Sequence, residues 1–163
     1  MSQLPVDIVD IEAYLHTHTQ LRQAVEEWTD AALTWKAGEN QWSVTEVIAH
    51  LVDHSVVISF RLREILSGSQ VRLPAFSQDA WVAGQRANNG NLDDYLKLFQ
   101  SLLEYNSGIF RRLTPEDWEK TGVNAKGDTV TLPAIVQSFT AHVQNHLGQI
   151  ARIKSAFEAA TAK

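Results

Sequence analysis

Four long stretches of this chain repeat apolar residues at helical spacing, and links of very unequal length separate them. The first stretch runs from Pro5 to Trp35 and carries Ile8, Ile11, Leu15, Val25 and Trp28. The second runs from Ser43 to Leu66, with Val44, Val47, Ile48, Leu51, Ile58, Leu62 and Ile65. The third, Asn91 to Leu113, carries Leu92, Leu96, Phe99, Leu103, Phe110 and Leu113. The last, Thr131 to Ala160, carries Ile135, Phe139, Ile150, Ile153 and Phe157. Apolar positions at i, i+3, i+4 and i+7 make one apolar stripe per helix. Four such stripes bury themselves most simply against one another, so the sequence predicts an all-α four-helix bundle. With 163 residues, the chain is expected to form a single domain over residues 1–163.

The links set the topology. Lys36 to Trp42 is short, which makes the first two helices antiparallel neighbours. Ser67 to Gly90 is long enough to cross the bundle and let helices two and three run parallel. Glu119 to Thr131 alternates around Lys126-Gly127-Asp128, as a small β-hairpin does. Ser43-Val44-Thr45-Glu46 reads as a capping box, with Trp42 and Val47 placed to form a hydrophobic staple. Pro115 after Thr114 opens a short helical turn, and Pro133 falls where a first turn tolerates proline.

Composition excludes whole classes of chemistry. There is no cysteine, which removes disulfides, iron–sulfur clusters, thiolate zinc sites and cysteine nucleophiles. The 14 Lys and Arg are outnumbered by 19 Asp and Glu, and the basic residues cluster only as the pairs Arg61/Arg63 and Arg111/Arg112. A nucleic-acid partner is therefore not expected. Asp7, Asp10 and Glu12 stand where a secretory signal would be apolar, and no apolar run approaches the ~20 residues of a membrane span. The expectation is a cytoplasmic protein without a membrane partner.

Histidine placement carries the functional information. His50 and His54 are four apart, as are His142 and His146. Residues four apart on a helix lie within about 40° of each other, so both rings of a pair can reach one metal ion. His142 and His146 fall within the apolar stripe of the last helix and must point inward. Two imidazoles there are costly unless their nitrogens are satisfied, by other side chains or by a metal. The spacing favours a metal. His50 and His54 lie at a stripe edge, where wheel angle slightly prefers His54 but does not decide between them. His16 and His18 are two apart, face different ways and read as surface or boundary residues. Gln149 shares the face of His146, where it either orients a ligand or water or is a polar stripe-edge residue. Glu46 is explained by the cap, and Asp53 falls on the far side of its helix and reads as solvated. Phe76 and Trp81 either cover a metal pocket or pack on the bundle. Arg61, on the His54 side, could receive an anionic group.

Trp42-Ser43 with Glu46-Val47 and His50-Leu51, followed by His142, His146 and Gln149-Ile150, forms the patterns W-S-x-x-E-V-x-x-H-L and H-x-x-x-H-x-x-Q-I. In these motifs, and in element order and length, the chain resembles the DinB-like superfamily of four-helix metalloproteins. The resemblance implies an up-down-down-up bundle, a homodimer, and one divalent ion such as zinc or nickel held by His50, His142 and His146. His54, one turn beyond, is then left to the pocket wall. Three neutral imidazoles leave an ion its charge and an open position, the composition of a catalytic site. The resemblance further implies a small-molecule substrate and a low-molecular-weight thiol cosubstrate, hence a thiol S-transferase or related hydrolase. The competing expectation is a metal-stabilised dimeric bundle with a stress-response or binding role and no turnover.

Overall fold

The computed structural model describes residues 9–162. Its helices are α1 (Ile11–Val25), α2 (Asp30–Thr34), α3 (Val44–Leu66), α4 (Gln78–Gly84), α5 (Leu92–Arg112), α6 (Pro115–Trp118) and α7 (Leu132–Thr161). A hairpin of β1 (Thr121–Val123) and β2 (Thr129–Thr131) pairs Gly122 with Val130. Three of the four periodic stretches are single helices, as expected. The first is not. It divides into α1 and α2 because the backbone turns at Glu27 (φ 67°) and restarts at Thr29, whose hydroxyl accepts from the Ala32 amide at 3.1 Å. Its Pro5–Ile8 portion lies outside the described residues.

Side chains that satisfy orphan amides set the helix starts. The Ser43 hydroxyl accepts from the Glu46 amide at 3.1 Å, and Glu46 Oε1 accepts from the Ser43 amide at 3.0 Å, completing the box. Trp42 before it packs on the core that contains Val47. Asn91 and Thr131 cap α5 and α7 by accepting from Asp94 and Ala134 at 3.1 and 3.2 Å. Pro133 sits in the first turn of α7, and Pro115 opens α6.

Contacts along the helices fix their directions. Arg22 meets Asp93 and Glu12 meets Arg111, so α1 and α5 are antiparallel. Ala49 clusters with Tyr95, and Ser59 bonds Asn106, so α3 and α5 are parallel. His50 faces His146 while His54 faces Phe139, so α3 and α7 are antiparallel. Tyr14 touches Phe139 and Gln20 bonds Gln144, which makes α1 and α7 parallel. The bundle is up-down-down-up, and α7 closes it by lying between α1 and α3. Among the described residues no helix is long and apolar enough to cross a membrane.

The core is filled by Tyr14, Leu21, Leu51, Leu62, Phe99, Leu103, Phe139 and Ile150, each at most 1% exposed. One polar knot interrupts it. Asn106 Nδ2 donates to Tyr14 Oη at 3.1 Å and to Ser59 Oγ at 2.9 Å, while Asn106 Oδ1 accepts from Arg63 at 2.9 Å. Burial, the largest influence on Tyr14, pushes its phenol up to about 12.

Several attachments order the crossover from Ser67 to Gly90. The Leu73 amide donates to the Val123 carbonyl at 2.7 Å, joining the link to β1. Asn88 accepts from the Ser43 hydroxyl and donates to the Thr34 carbonyl at 3.1 Å. Gln85 Nε2 donates to Asp53 Oδ2 at 2.8 Å. The last contact corrects the expectation that Asp53 is solvated: α4 covers it, leaving 9% exposed, and burial raises its carboxyl above the ordinary range. Gly90 ends the crossover beneath the Tyr95 ring, where a Cβ would overlap it.

Candidate metal centre

His50 lies on the second turn of α3, held in place by the capping box that starts the helix. His142 and His146 project from one face of α7 toward it. His142 Nε2 stands 3.1 Å from His50 Nε2 and 3.0 Å from His146 Nε2. All three rings offer a nitrogen within 4.8 Å of the others, and His50 is only 1% exposed. The antiparallel approach of α7 brings His50, rather than His54, within 4.8 Å of both His142 and His146 nitrogens.

Three ring nitrogens facing one point cannot satisfy one another. His146 Nδ1 lies 2.7 Å from Gln149 Oε1, an acceptor, so His146 donates there and turns a bare lone pair on Nε2 toward the centre. His142 Nε2 can give at most one proton to its two neighbours. His50 Nδ1 is buried and has no partner among the described residues. Imidazole nitrogens are the usual protein donors to zinc and nickel, and here three of them lie within 4.8 Å of one another. The donor set therefore fits a divalent cation.

Electrostatics favour neutral rings. Burial, then His146 and His142, lowers His50 to about 4, and burial followed by His146 lowers His142 to about 4. His146 is lowered chiefly by burial, against the opposing pull of Gln149. Neutral imidazole is the ligating form, so the protein presents the lone pairs a metal needs near pH 7.

The remaining candidates fall around this core. His54 stacks on Phe139 with centroids 5.4 Å apart, and its ring lies 4.4 Å from that of His142, forming a wall beside the three. Phe76 stacks over both His50 and His54 at 6.3 Å, and Trp81 packs on Phe76 at 4.9 Å, so the crossover does cover the centre. Glu46 serves the cap and also pairs with Lys36 at 3.3 Å. Arg61 donates to the Pro74 carbonyl at 2.8 Å and lines a cavity of about 300 Å³ with His54 and Phe139. His16 is exposed, but His18 is buried, contrary to expectation, because α1 turns it toward α5. Both lie away from the centre. Trp42 has a second role that its cap position did not reveal: its ring lies 5.0 Å from that of His50. Trp42 stands eight positions before His50 and precedes the helix, so no periodicity signals the contact.

A family model described as the DinB superfamily matches residues 13–150. The chain belongs to the DinB superfamily. Among its relatives, a protein of Oceanobacillus iheyensis named "Putative metal-dependent hydrolase OB0413" is 26% identical over 149 residues, which cover 89% of this chain and 86% of that one. YfiT of Bacillus subtilis, which carries the same description, is 22% identical over 135 residues, 82% of this chain and 76% of its own. The solved structure of YfiT, described as having an unusual four-helix bundle topology, superposes with a TM-score of 0.83 at 20% identity, covering 96% of this chain and 94% of YfiT. A mycothiol-dependent maleylpyruvate isomerase matches with a TM-score of 0.67 at 14% identity, over 87% of this chain and 61% of the isomerase. This DinB-superfamily chain thus shares its fold with both.

Proposed function

We propose that His50, His142 and His146 hold one divalent cation, zinc or nickel, and that the protein is a metal-dependent thiol S-transferase. It joins a low-molecular-weight thiol to a small electrophile in the cytoplasm, where such thiols are kept reduced. The observation that supports this reading is the convergence of three neutral imidazoles at 3.0 and 3.1 Å beside a cavity of about 560 Å³ that His146 borders. A divalent ion in such a set supplies a Lewis acid that keeps a thiol deprotonated at neutral pH. The chain has no cysteine, so the sulfur must arrive with a cosubstrate.

The surrounding residues then have distinct tasks. Gln149 fixes the tautomer of His146, and Trp42 and Phe76 shield His50 from water. In the transfer a bond forms from sulfur to the electrophilic carbon, the leaving group departs with its electron pair, and the thiol proton passes to solvent. The names of the relatives favour hydrolysis of a small molecule at the same centre as the second reading.

Bacillithiol, mycothiol or glutathione with a chlorobimane separates the two. Metal-loaded protein should accelerate conjugation over metal-free protein, and His142→Ala should abolish the acceleration. If none of these thiols reacts faster with the loaded protein than in buffer, the transferase reading falls and hydrolysis takes its place.

The proposal extends to a homodimer. Val56 and Phe60 of α3 and Leu98 and Tyr105 of α5 are large, apolar and exposed on two helices that pack side by side, a surface that a second copy of the chain would cover. Sedimentation should give a dimer for the natural chain and a monomer for Phe60→Glu.

A further inference from the structure

We infer that the cavity bordering His146 is the binding site for the charged end of the thiol cosubstrate, with Arg152 receiving a carboxylate and Asp79 an ammonium group. This rests on the transferase reading above and adds to it the class of thiol: a zwitterionic cysteine conjugate rather than a neutral one.

The cavity, about 560 Å³, lies between the Lys36–Trp42 link, the start of α4 and the outer half of α7. Its size is that of an ordinary small-molecule site. His146 and Gln149 form the wall nearest the three-histidine centre, so a ligand filling the cavity ends at that centre. Asn40, Gln41 and Gln149 bring primary amides to the lining, and Trp42 brings an apolar ring face. Amides of this kind suit a body built from peptide or sugar units.

The charges select among such bodies. Arg152 is the cation and Asp79 the anion of this lining, and neither makes a hydrogen bond or ion pair among the described residues. Two opposite charges facing one cavity without engaging each other are matched by a ligand that carries both. A guanidinium takes a carboxylate through two parallel bonds, and a carboxylate takes an ammonium group. Arg152 lies six residues beyond His146, about 9 Å along the helix. Its guanidinium folds back one turn along α7 to Gly148, where a Cβ would come within 3.4 Å of Nη1.

Calorimetry on metal-loaded protein tests the assignment with three probes. Glutathione carries carboxylates, an ammonium group and a thiol. S-methylglutathione keeps the charges and loses the thiol. Mycothiol keeps the thiol and has neither charge. Glutathione and S-methylglutathione should bind the natural chain, and Arg152→Gln and Asp79→Asn should each weaken both by about tenfold. Metal content and helical circular dichroism should be unchanged in both variants, and mycothiol should bind more weakly and ignore the substitutions. Equal glutathione affinity in Arg152→Gln, mycothiol binding as tight as glutathione, or no binding of either glutathione form would overturn the inference. If S-methylglutathione binds and Arg152→Gln weakens it while no thiol is conjugated, the subsite stands and the transferase reading falls. If conjugation proceeds and Arg152→Gln leaves binding unchanged, the reverse holds.

Discussion

Around Asn106 the bundle buries an amide whose every end meets a protein partner, whereas around His142, on the neighbouring helix pair, ring nitrogens compete for too few protons. Asn106 uses both ends of its amide, toward Tyr14 and Ser59 on one side and Arg63 on the other. The Ser59 hydroxyl in turn donates to the Ser55 carbonyl at 2.7 Å. His50, His142 and His146 instead turn nitrogen toward nitrogen, and among the described residues only His146 finds an acceptor outside the three, in Gln149. Near Asn106, Arg63 Nη2 and Ser55 Oγ are left over among the described residues, yet Asn106 itself is fully engaged by protein groups, and such a cluster specifies packing without a ligand. A cluster with more lone pairs than donors suits a cation.

The strongest way to break this contrast is at His142, whose Nε2 faces both other rings. His142→Ala should take bound metal from one ion per chain to background, read by elemental analysis after dialysis, while His16→Ala retains it. His50→Ala should weaken binding far more than His54→Ala; equal losses would mean that the wall ring also ligates. Next in size is Gln149→Leu, which removes the acceptor for His146 Nδ1 and should weaken metal binding by about 10–100-fold in a chelator competition. Gln149→Glu, which still accepts, should recover most of that loss.

Asn106→Leu sharpens the comparison from the other side. It leaves Arg63 with the Ser59 carbonyl alone as acceptor among the described residues, takes the donor from Tyr14 Oη, and should cost about 2–3 kcal/mol in denaturant unfolding, with metal content unchanged. His142→Leu in metal-free protein removes a nitrogen that can engage only one of its two ring-nitrogen neighbours and should cost far less. Matching losses would erase the distinction between the clusters.

The smallest effect is a pH drift in metal-free protein. Folding holds His50 and His142 at about 4 and His54 at about 3, below the ordinary 6.5, chiefly through burial. As pH falls below 6.5 the unfolded chain takes up protons first, so the contribution is full above that value and lost as pH falls toward 4. Tm should decline across this window, and His54→Phe should flatten the decline.

The bundle and most of its centre could be read from residues because the decisive signals are local. Ser43 and Glu46 lie within one turn, and His142 and His146 share one face, so both survive any tertiary arrangement. The misreadings have non-local causes. Asp53 looked solvated because its cover, Gln85, comes from a crossover 32 residues away. The break after Val25 was hidden because apolar spacing continues through Trp28 and the left-handed residue there is Glu27 rather than a glycine. The choice between His50 and His54 depended on where α7 crosses α3, which no single helix encodes.

One consequence follows from the order of elements along the chain. His50 and His142 are 92 residues apart, and everything from the crossover to the hairpin lies between them. An ion bridging them would close a loop of that length, and in an unfolded chain such a closure costs conformational entropy that grows with the logarithm of loop size. Early in folding α3 can offer at most a pair of imidazoles, four residues apart and with only weak hold on a cation. High-affinity uptake must await the docking of α7. The metal would then act as a latch set after assembly rather than a seed for it, and the rate of its capture would report the final packing step of the polypeptide.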